Sequence, residues 1–196
     1  VPEERLELAR TAAGFWHVHL SPLHGALIAA TIANEGRMPR ATLVDRVLDP
    51  RGHVAYRARA EVFRHVIPAS TARVVDRMMR ETVTRGTARR YFFDDRGNAF
   101  LPGVEVAGKT GSLTGADPYR AYSWFVGFAP AGAPQIAVSA LVVNEPRWRI
   151  KGAYVAREAM RYWLFVRPRE EERAAREAER AAQAAVAEPS AQPAAP

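Results

Sequence analysis

Cysteine is absent from the 196 residues, which excludes disulfide bonds, thiolate metal ligands and a cysteine nucleophile. Lysine is scarce, since only Lys109 and Lys151 among the 28 basic residues are lysine. The longest apolar runs, such as 136–143, fall well short of the roughly 20 residues of a membrane-spanning helix. No basic segment followed by an apolar stretch opens the chain, so we expect any export signal or anchor outside it. The overall composition, 48% hydrophobic and 25% charged, is typical of a globular domain.

The net charge of +7 makes nucleic-acid binding a hypothesis to weigh. The arginines, however, are scattered along the whole chain. No basic run is interleaved with aromatic residues, and no known reader motif occurs. We therefore expect no nucleic-acid partner.

The composition changes near Pro168. Residues 169–179 are almost all Arg, Glu and Ala, with opposite charges at helical spacing such as Glu172 and Arg176. After residue 188 the chain is Pro, Ala, Ser and Gln. The pattern predicts a folded domain over 1–167 and a charged helical, then disordered, tail over 168–196. A partner-binding tail is the alternative, which the lack of an apolar stripe disfavours.

The first part of the chain has clear helix signals. A short amphipathic helix is predicted over 3–13. A second helix follows, with Ser21 as its N-cap, Pro22 as its first residue and the stop signal Asn34-Glu35-Gly36.

A turn and a third helix come next. The sequence Asp49-Pro50-Arg51-Gly52 lies between two extended runs, 42–48 and 53–56, and predicts a surface hairpin. A helix with an apolar face is then expected to be capped by Ser70 or Thr71.

The last third changes to strands. Residues 104–106 are predicted to lead a strand, and 122–129 and 135–143 to form neighbouring strands of one antiparallel sheet. A final amphipathic helix is predicted over 152–166. The order of elements indicates an α/β (mixed α+β) fold, an antiparallel sheet flanked by helices.

The predicted strand after residue 104 carries Lys109-Thr110-Gly111-Ser112. A lysine beside hydroxyls on an edge strand can hold a carboxylate, and glycine lets a ligand backbone approach closely. The backbone N–H of Ser112 can point at a developing oxyanion. A lysine kept in an arginine-rich chain indicates a need for a compact ammonium. The alternative for so short a motif is an exposed lysine on an edge strand.

Lys-Thr-Gly is one of three signatures of penicillin-binding proteins and class A β-lactamases. The surrounding sequence resembles the transpeptidase domain of penicillin-binding proteins, the D,D-transpeptidases that cross-link peptidoglycan. The resemblance covers roughly residues 5–166, in the expected order. The segments that carry it are 20–26 with 32–36, the Gly-Thr-Ala segment 86–88, 106–112, and 124–130.

Two departures from the family pattern matter. Ser112 stands where threonine is common, which keeps the hydroxyl. The sequence has neither Ser-x-x-Lys, which holds the family's nucleophile, nor Ser-x-Asn. Because both motifs precede Lys-Thr-Gly in the family, we expect the C-terminal part of a domain whose nucleophilic serine lies upstream of Val1. A degenerate, inactive homologue is the alternative.

The resemblance implies a partial serine β-lactamase-like fold and acyl transfer by an upstream serine, without a cofactor or metal. The expected catalytic residues are Lys109, through the electrostatics and proton network, and Ser112, whose backbone N–H is half of the oxyanion hole. The expected substrate-binding residues are Thr110, Gly111 and Ser112, whose hydroxyls are offered to the carboxylate of the substrate or β-lactam. The isolated chain is expected to be inactive.

The implied partners are peptidoglycan stem peptides ending in D-Ala-D-Ala, β-lactams and a cell-wall synthesis complex. The implied location is the periplasmic, extracytoplasmic face of the bacterial cytoplasmic membrane, with an anchor outside this chain. Two alternatives stay open. One is a β-lactamase or D,D-carboxypeptidase relative, in which water resolves the acyl-enzyme. The other is a catalytically inactive scaffold or β-lactam sensor.

Two possible metal sites in the sequence lack the ligands or the spacing that a metal ion needs. His17, His19 and His24 have no neighbouring carboxylate or cysteine to complete a zinc site. Residues 94–98 lack the spacing of an EF-hand and predict an exposed turn. We therefore expect no metal.

Overall fold

The computed structural model of the chain describes residues 3–14, 18–147 and 149–187. The chain forms two compact units, Val1–Ala159 and Met160–Pro196. The first unit contains a three-stranded antiparallel sheet with helices on both faces. The second unit is helical wherever it is described.

The first two helices begin at side-chain caps. Helix α1 spans Arg5–Ala12, and the Glu4 carboxylate accepts hydrogen bonds from two backbone N–H groups of its first turn. Helix α2 spans Pro22–Ala33, and the Ser21 hydroxyl accepts from the His24 backbone N–H at 3.2 Å. The predicted cap at Ser21 is confirmed.

Four short strands form two antiparallel ribbons. Strand β1 (Arg37–Pro39) pairs with β4 (Val62–His65), and β2 (Arg46–Leu48) pairs with β3 (Val54–Arg57). The β2–β3 ribbon confirms the predicted hairpin, with shorter strands than the extended runs. The Asp49 carboxylate accepts from two backbone N–H groups of the turn at 2.8 Å, and these bonds lower its pKa. The β1–β4 ribbon was not predicted.

Helix α3 spans Ala69–Thr84, and the predicted cap at Ser70 or Thr71 is wrong. Pro68 is the N-cap, with φ −59° and an extended ψ, and no side chain caps the helix. Proline presets the chain direction at this point, so the helix begins before either hydroxyl residue. The short helix α4 follows at Arg89–Phe92.

The sheet has the order β5–β6–β7, with β5 at Ala107–Ala116, β6 at Tyr119–Ala129 and β7 at Ile136–Asn144. The predicted pairing of the last two strands is confirmed. The predicted strand that leads from residue 104 into the Lys109–Ser112 motif is confirmed from Ala107 onward, whereas residues 104–106 lie outside it. The Glu105 carbonyl instead accepts from the Ala131 backbone N–H at 2.7 Å, in the loop after β6.

Alternation along the strands separates the two faces of the sheet. On one face, α2 and α3 pack in a core cluster that includes Ala29, Met79 and Phe128. On the other face lies Phe125, which is fully buried, and helix α5 (Gly152–Arg161) begins there. The fold is thus the mixed α+β arrangement expected from the sequence, and it positions β5 at one edge of the sheet.

The predicted final helix is confirmed from Gly152, and it continues as a π-helical turn at Tyr162–Val166 and then as α6 at Arg167–Ala187. In α6 the side chains of Arg167 and Glu171 pair at 2.7 Å. Every residue from 168 to 183 is exposed. The predicted disordered tail after residue 188 lies outside the described residues.

Candidate functional site

The Lys109–Ser112 segment lies on β5, whose outer edge has no strand partner in the described part of the chain. Lys109 pairs with Val126 and Ser112 with Ser123 on the neighbouring strand. Because side chains alternate along a strand, Lys109 lies on the α2–α3 face, whereas Thr110 and Ser112 lie on the Phe125 face. The sequence motif is therefore divided between two faces.

The Lys109 side chain is exposed, and its Nζ donates to the carbonyl oxygen of Thr110 at 2.8 Å. The amine therefore folds against its own strand rather than against the hydroxyls on the other face. In this position its charge lies beside the open edge of β5.

Thr110 is joined to the segment before β5 by a hydrogen bond between two hydroxyls. Its Oγ1 lies 2.6 Å from Oγ1 of Thr87. Thr87 belongs to the Gly-Thr-Ala segment that carried part of the family resemblance, although it was not predicted as a site residue. The neighbouring Ala88 is fully buried and fixes this segment in the core.

Gly108 is required by the close approach of an aromatic ring. A Cβ atom at this position would lie 2.1 Å from Cζ of Phe125. The Phe125 ring is fully buried and also contacts the Phe92 ring, with 5.4 Å between the ring centroids. This packing holds β5 firmly just before its polar residues begin.

A cavity of about 230 Å³ lies beside these polar residues. Among the residues that the structure describes, its lining combines hydroxyl, aromatic and basic side chains and includes no acidic one. The lining residues are Thr87, Arg90, Tyr91, Thr110, Gly111, Ser112, Ser123, Trp124, Lys151 and Ala153. Thr110, Gly111 and Ser112 thus meet at one cavity, as the motif predicts, whereas Lys109 is not in its lining.

Lys151 was not predicted as a site residue, because nothing near it in the sequence points to a site. The buried side chain of Asn144 organises the loop that carries it. Its Nδ2 donates to the Ile150 carbonyl at 3.0 Å, and its Oδ1 accepts from the Arg149 backbone N–H at 3.2 Å. Burial lowers the pKa of the Lys151 amine, and the positive charge of Arg90 lowers it further.

Ser123 is the other serine of the cavity, and it has a structural role. It is buried, and its hydroxyl accepts from the Gly152 backbone N–H at 3.0 Å at the start of α5. No serine hydroxyl bonds to a lysine or histidine side chain within 3–14, 18–147 and 149–187. The site therefore presents cations, hydroxyls and an open strand edge, which suit binding a carboxylate and an extended peptide.

The residues proposed for metal binding do not converge. No group of three His, Asp or Glu side chains that could hold an ion occurs among the described residues, and His17 lies outside them. Asp94 closes a turn, in which its Oδ1 accepts from the backbone N–H groups of Arg96 and Asn98. None of the described helices is long and apolar enough to cross a membrane.

Comparison with known proteins identifies the family of the chain. The family model described as penicillin binding protein transpeptidase domain matches residues 2–162. The chain belongs to this transpeptidase family. The family expected from the Lys109–Ser112 motif and its neighbouring segments is thereby confirmed.

Two curated relatives of this transpeptidase chain are mycobacterial. It is 34% identical over 142 residues to the peptidoglycan D,D-transpeptidase PbpA of Mycobacterium tuberculosis (strain ATCC 25618 / H37Rv), covering 70% of this chain and 27% of that protein. It is 33% identical over 140 residues to PbpA of Mycolicibacterium smegmatis, covering 69% of this chain and 26% of that protein. The chain thus spans about a quarter of the length of these relatives.

Solved structures agree with the family assignment. Penicillin-binding protein A from M. tuberculosis, as its imipenem acyl-enzyme complex, has a TM-score of 0.67 and 30% identity, over 80% of this chain and 34% of that chain. The D,D-transpeptidase domain of a peptidoglycan glycosyltransferase from Eggerthella lenta has a TM-score of 0.62 and 28% identity. This match covers 75% of this chain and 32% of that chain. The fold is therefore the serine β-lactamase-like transpeptidase fold, in part.

Proposed function

We propose that this chain forms the Lys-Thr-Gly wall of a serine D,D-transpeptidase site that binds penicillin and cross-links peptidoglycan. The observation that carries the proposal is the position of Lys109–Ser112 on the open edge strand β5 of a family member, beside a cavity lined by the Thr110 and Ser112 hydroxyls. The relatives that are named peptidoglycan D,D-transpeptidases support it.

The proposed reaction is acyl transfer through a covalent intermediate. A serine hydroxyl attacks the carbonyl carbon of the penultimate D-Ala of a stem peptide, and the C–N bond to the terminal D-Ala breaks. The terminal D-Ala leaves with the proton that the serine lost. An amine of a second stem peptide then attacks the ester carbon. The new amide C–N bond forms, the C–O bond to the serine breaks, and the proton that the amine loses returns to the serine oxygen.

Each residue of the wall has a proposed role. Lys109 supplies positive charge and takes part in the proton network at the open edge of β5. The hydroxyls of Thr110 and Ser112 bind the substrate carboxylate, and Gly111 leaves room for the substrate backbone. The Ser112 backbone N–H is half of the oxyanion hole. The nucleophilic serine is supplied from outside these 196 residues, which contain no Ser-x-x-Lys.

The proposed ligands and location follow from the same reaction. The ligands are stem peptides ending in D-Ala-D-Ala and β-lactams, in keeping with the imipenem and penicillin G acyl-enzyme complexes of penicillin-binding protein A. Because peptidoglycan lies outside the cytoplasmic membrane, the site works on that face, in the periplasm where the cell has one. A membrane anchor outside this chain and other cell-wall synthesis proteins complete the proposed setting.

Labelling with a fluorescent penicillin tests the proposal. The natural polypeptide that contains this chain is expected to form a covalent adduct on a serine outside residues 1–196, located by peptide mapping, whereas the 196-residue chain alone stays unlabelled. The Lys109→Ala variant of that polypeptide is expected to be acylated more slowly by about 100-fold or more, because it lacks the cation of the wall.

Arg96→Gln is the matched control, since it removes one positive charge from the exposed turn at 94–98 and leaves β5 intact. It is expected to be acylated at the normal rate. A folded natural polypeptide that takes no label would refute the enzyme and favour an inactive scaffold.

A further inference from the structure

Two cations in the cavity have no role in the proposed reaction so far. Arg90 and Lys151 both line it, together with the hydroxyls of Thr87, Thr110 and Ser112. Arg90 comes from α4 and Lys151 from the loop before α5, so two separate elements bring positive charge to one place. Because none of the described lining residues is acidic, the cavity favours an anion.

The charge that accompanies the hydroxyls therefore comes from these two residues rather than from Lys109. Lys109 projects from the opposite face of β5, and its amine donates to the Thr110 carbonyl. An anion on the Thr110 and Ser112 hydroxyls thus meets Arg90 and Lys151 in the same cavity. Hydrogen bonds from charged donors are about twice as strong as neutral ones.

Hydrogen bonds and close packing hold the backbone on both sides of Lys151. Asn144 closes the loop from the end of β7 with hydrogen bonds to both Arg149 and Ile150. The next residue, Gly152, sits so close to the sheet that a Cβ atom would lie 2.7 Å from the carbonyl oxygens of Ser123 and Ala140.

The electrostatics of Arg90 and Lys151 favour an anion between them. Partial burial and the neighbouring Arg90 charge both disfavour the charged form of Lys151 and lower its pKa. A bound anion between the two cations would offset both effects and would favour the charged amine.

We infer that Arg90 and Lys151 form a carboxylate subsite that binds the C-terminal carboxylate of the acyl donor together with Thr110 and Ser112. The inference rests on the proposed function for the identity of the ligand. It assigns the selectivity for anionic donors to a pair of residues outside the Lys-Thr-Gly motif.

The first experiment compares an anionic with a neutral acyl donor on the natural polypeptide. In Arg90→Gln and Lys151→Met, the second-order rate of acylation by penicillin is expected to fall about 10- to 100-fold, as for loss of a charged hydrogen bond. The slower rate with the penicillin methyl ester is expected to stay unchanged, because the ester has no carboxylate. Lys151→Arg keeps the charge and is expected to retain the preference for the acid.

Arg96→Gln again controls for net charge and is expected to leave both rates unchanged. Thermal unfolding of each variant checks that it is folded. A normal penicillin rate in folded Arg90→Gln and Lys151→Met would overturn the subsite, while the labelling itself would still support the transpeptidase.

The second experiment does not need catalysis. The 196-residue chain is titrated with N-acetyl-D-alanine, with N-acetyl-D-alaninamide as the neutral control, and backbone amide NMR signals are followed. The acid alone is expected to shift the Thr110 and Ser112 signals, and Lys151→Met is expected to abolish the shift. Such a shift, combined with a folded natural polypeptide that penicillin does not label, would refute the transpeptidase and keep the anion subsite. No shift with the acid would overturn the subsite.

Discussion

Gly108 keeps β5 against the Phe125 ring, and the position leaves no room for a methyl group. Gly108→Ala is expected to lower the free energy of unfolding by about 1–3 kcal/mol, the usual cost of overpacking a core. Gly132→Ala is the matched control, because nothing lies within 4 Å of a Cβ atom there. Urea unfolding of both variants measures the difference, and equal stability would show that the ring yields freely.

At the scale of the residue, the sequence indicates which residues of β5 belong to the candidate site, but not which face of the strand each side chain lies on. The motif predicts that Thr110 and Ser112 act together, and the structure brings both to one cavity. It does not predict that Lys109 projects from the other face, since that depends on strand register. Lys151 reaches the cavity through long-range packing, which leaves no local pattern to detect, whereas Thr87 lies in the Gly-Thr-Ala segment of the family resemblance.

At the scale of the element, α2 and α3 begin in different ways. The Ser21 hydroxyl caps α2, whereas Ser70 lies inside α3 and caps nothing. Ser21→Ala is expected to cost about 1 kcal/mol of stability, the usual value of an N-cap, and Ser70→Ala close to nothing. Chemical denaturation of the two variants checks this, and an equal loss in both would contradict the assigned caps.

Local turn and cap chemistry made the predictions for α2 and the β2–β3 hairpin succeed. The errors occur where other forces decide the boundary. Pro68 starts α3 before the predicted caps, and the backbone of Glu105 pairs with a loop instead of a strand. The β1–β4 ribbon was missed because its strands are short and lie far apart in the sequence.

At the scale of the whole molecule, we propose that the transpeptidase domain ends near residue 167 and that 168–196 is a solvated extension. Residues 168–183 are all exposed, so we expect their removal to lose little buried apolar surface. A chain that ends at Arg167 is expected to unfold within about 2 °C of the full chain, by calorimetry. A clear drop in the unfolding temperature would show that the extension stabilises the fold.

The sequence predicted the order of helices and strands and the family, because several separated segments agree with one pattern. The placement of α2 and α3 on one face of the sheet and the start of α5 on the other required coordinates. The missing Ser-x-x-Lys and the coverage of about a quarter of the relatives' length are in keeping with our proposal that this chain supplies only a wall of the site.

The scarcity of lysine has a consequence for chemical probing. A reagent that acylates amines finds only two side-chain targets in the 196 residues, and both are at the site. Lys109 is exposed beside Thr110, and Lys151 is partly buried in the cavity lining. Modification of Lys151, measured by mass spectrometry, therefore reports occupancy of the cavity, and modification of Lys109 reports separately on the open edge of β5.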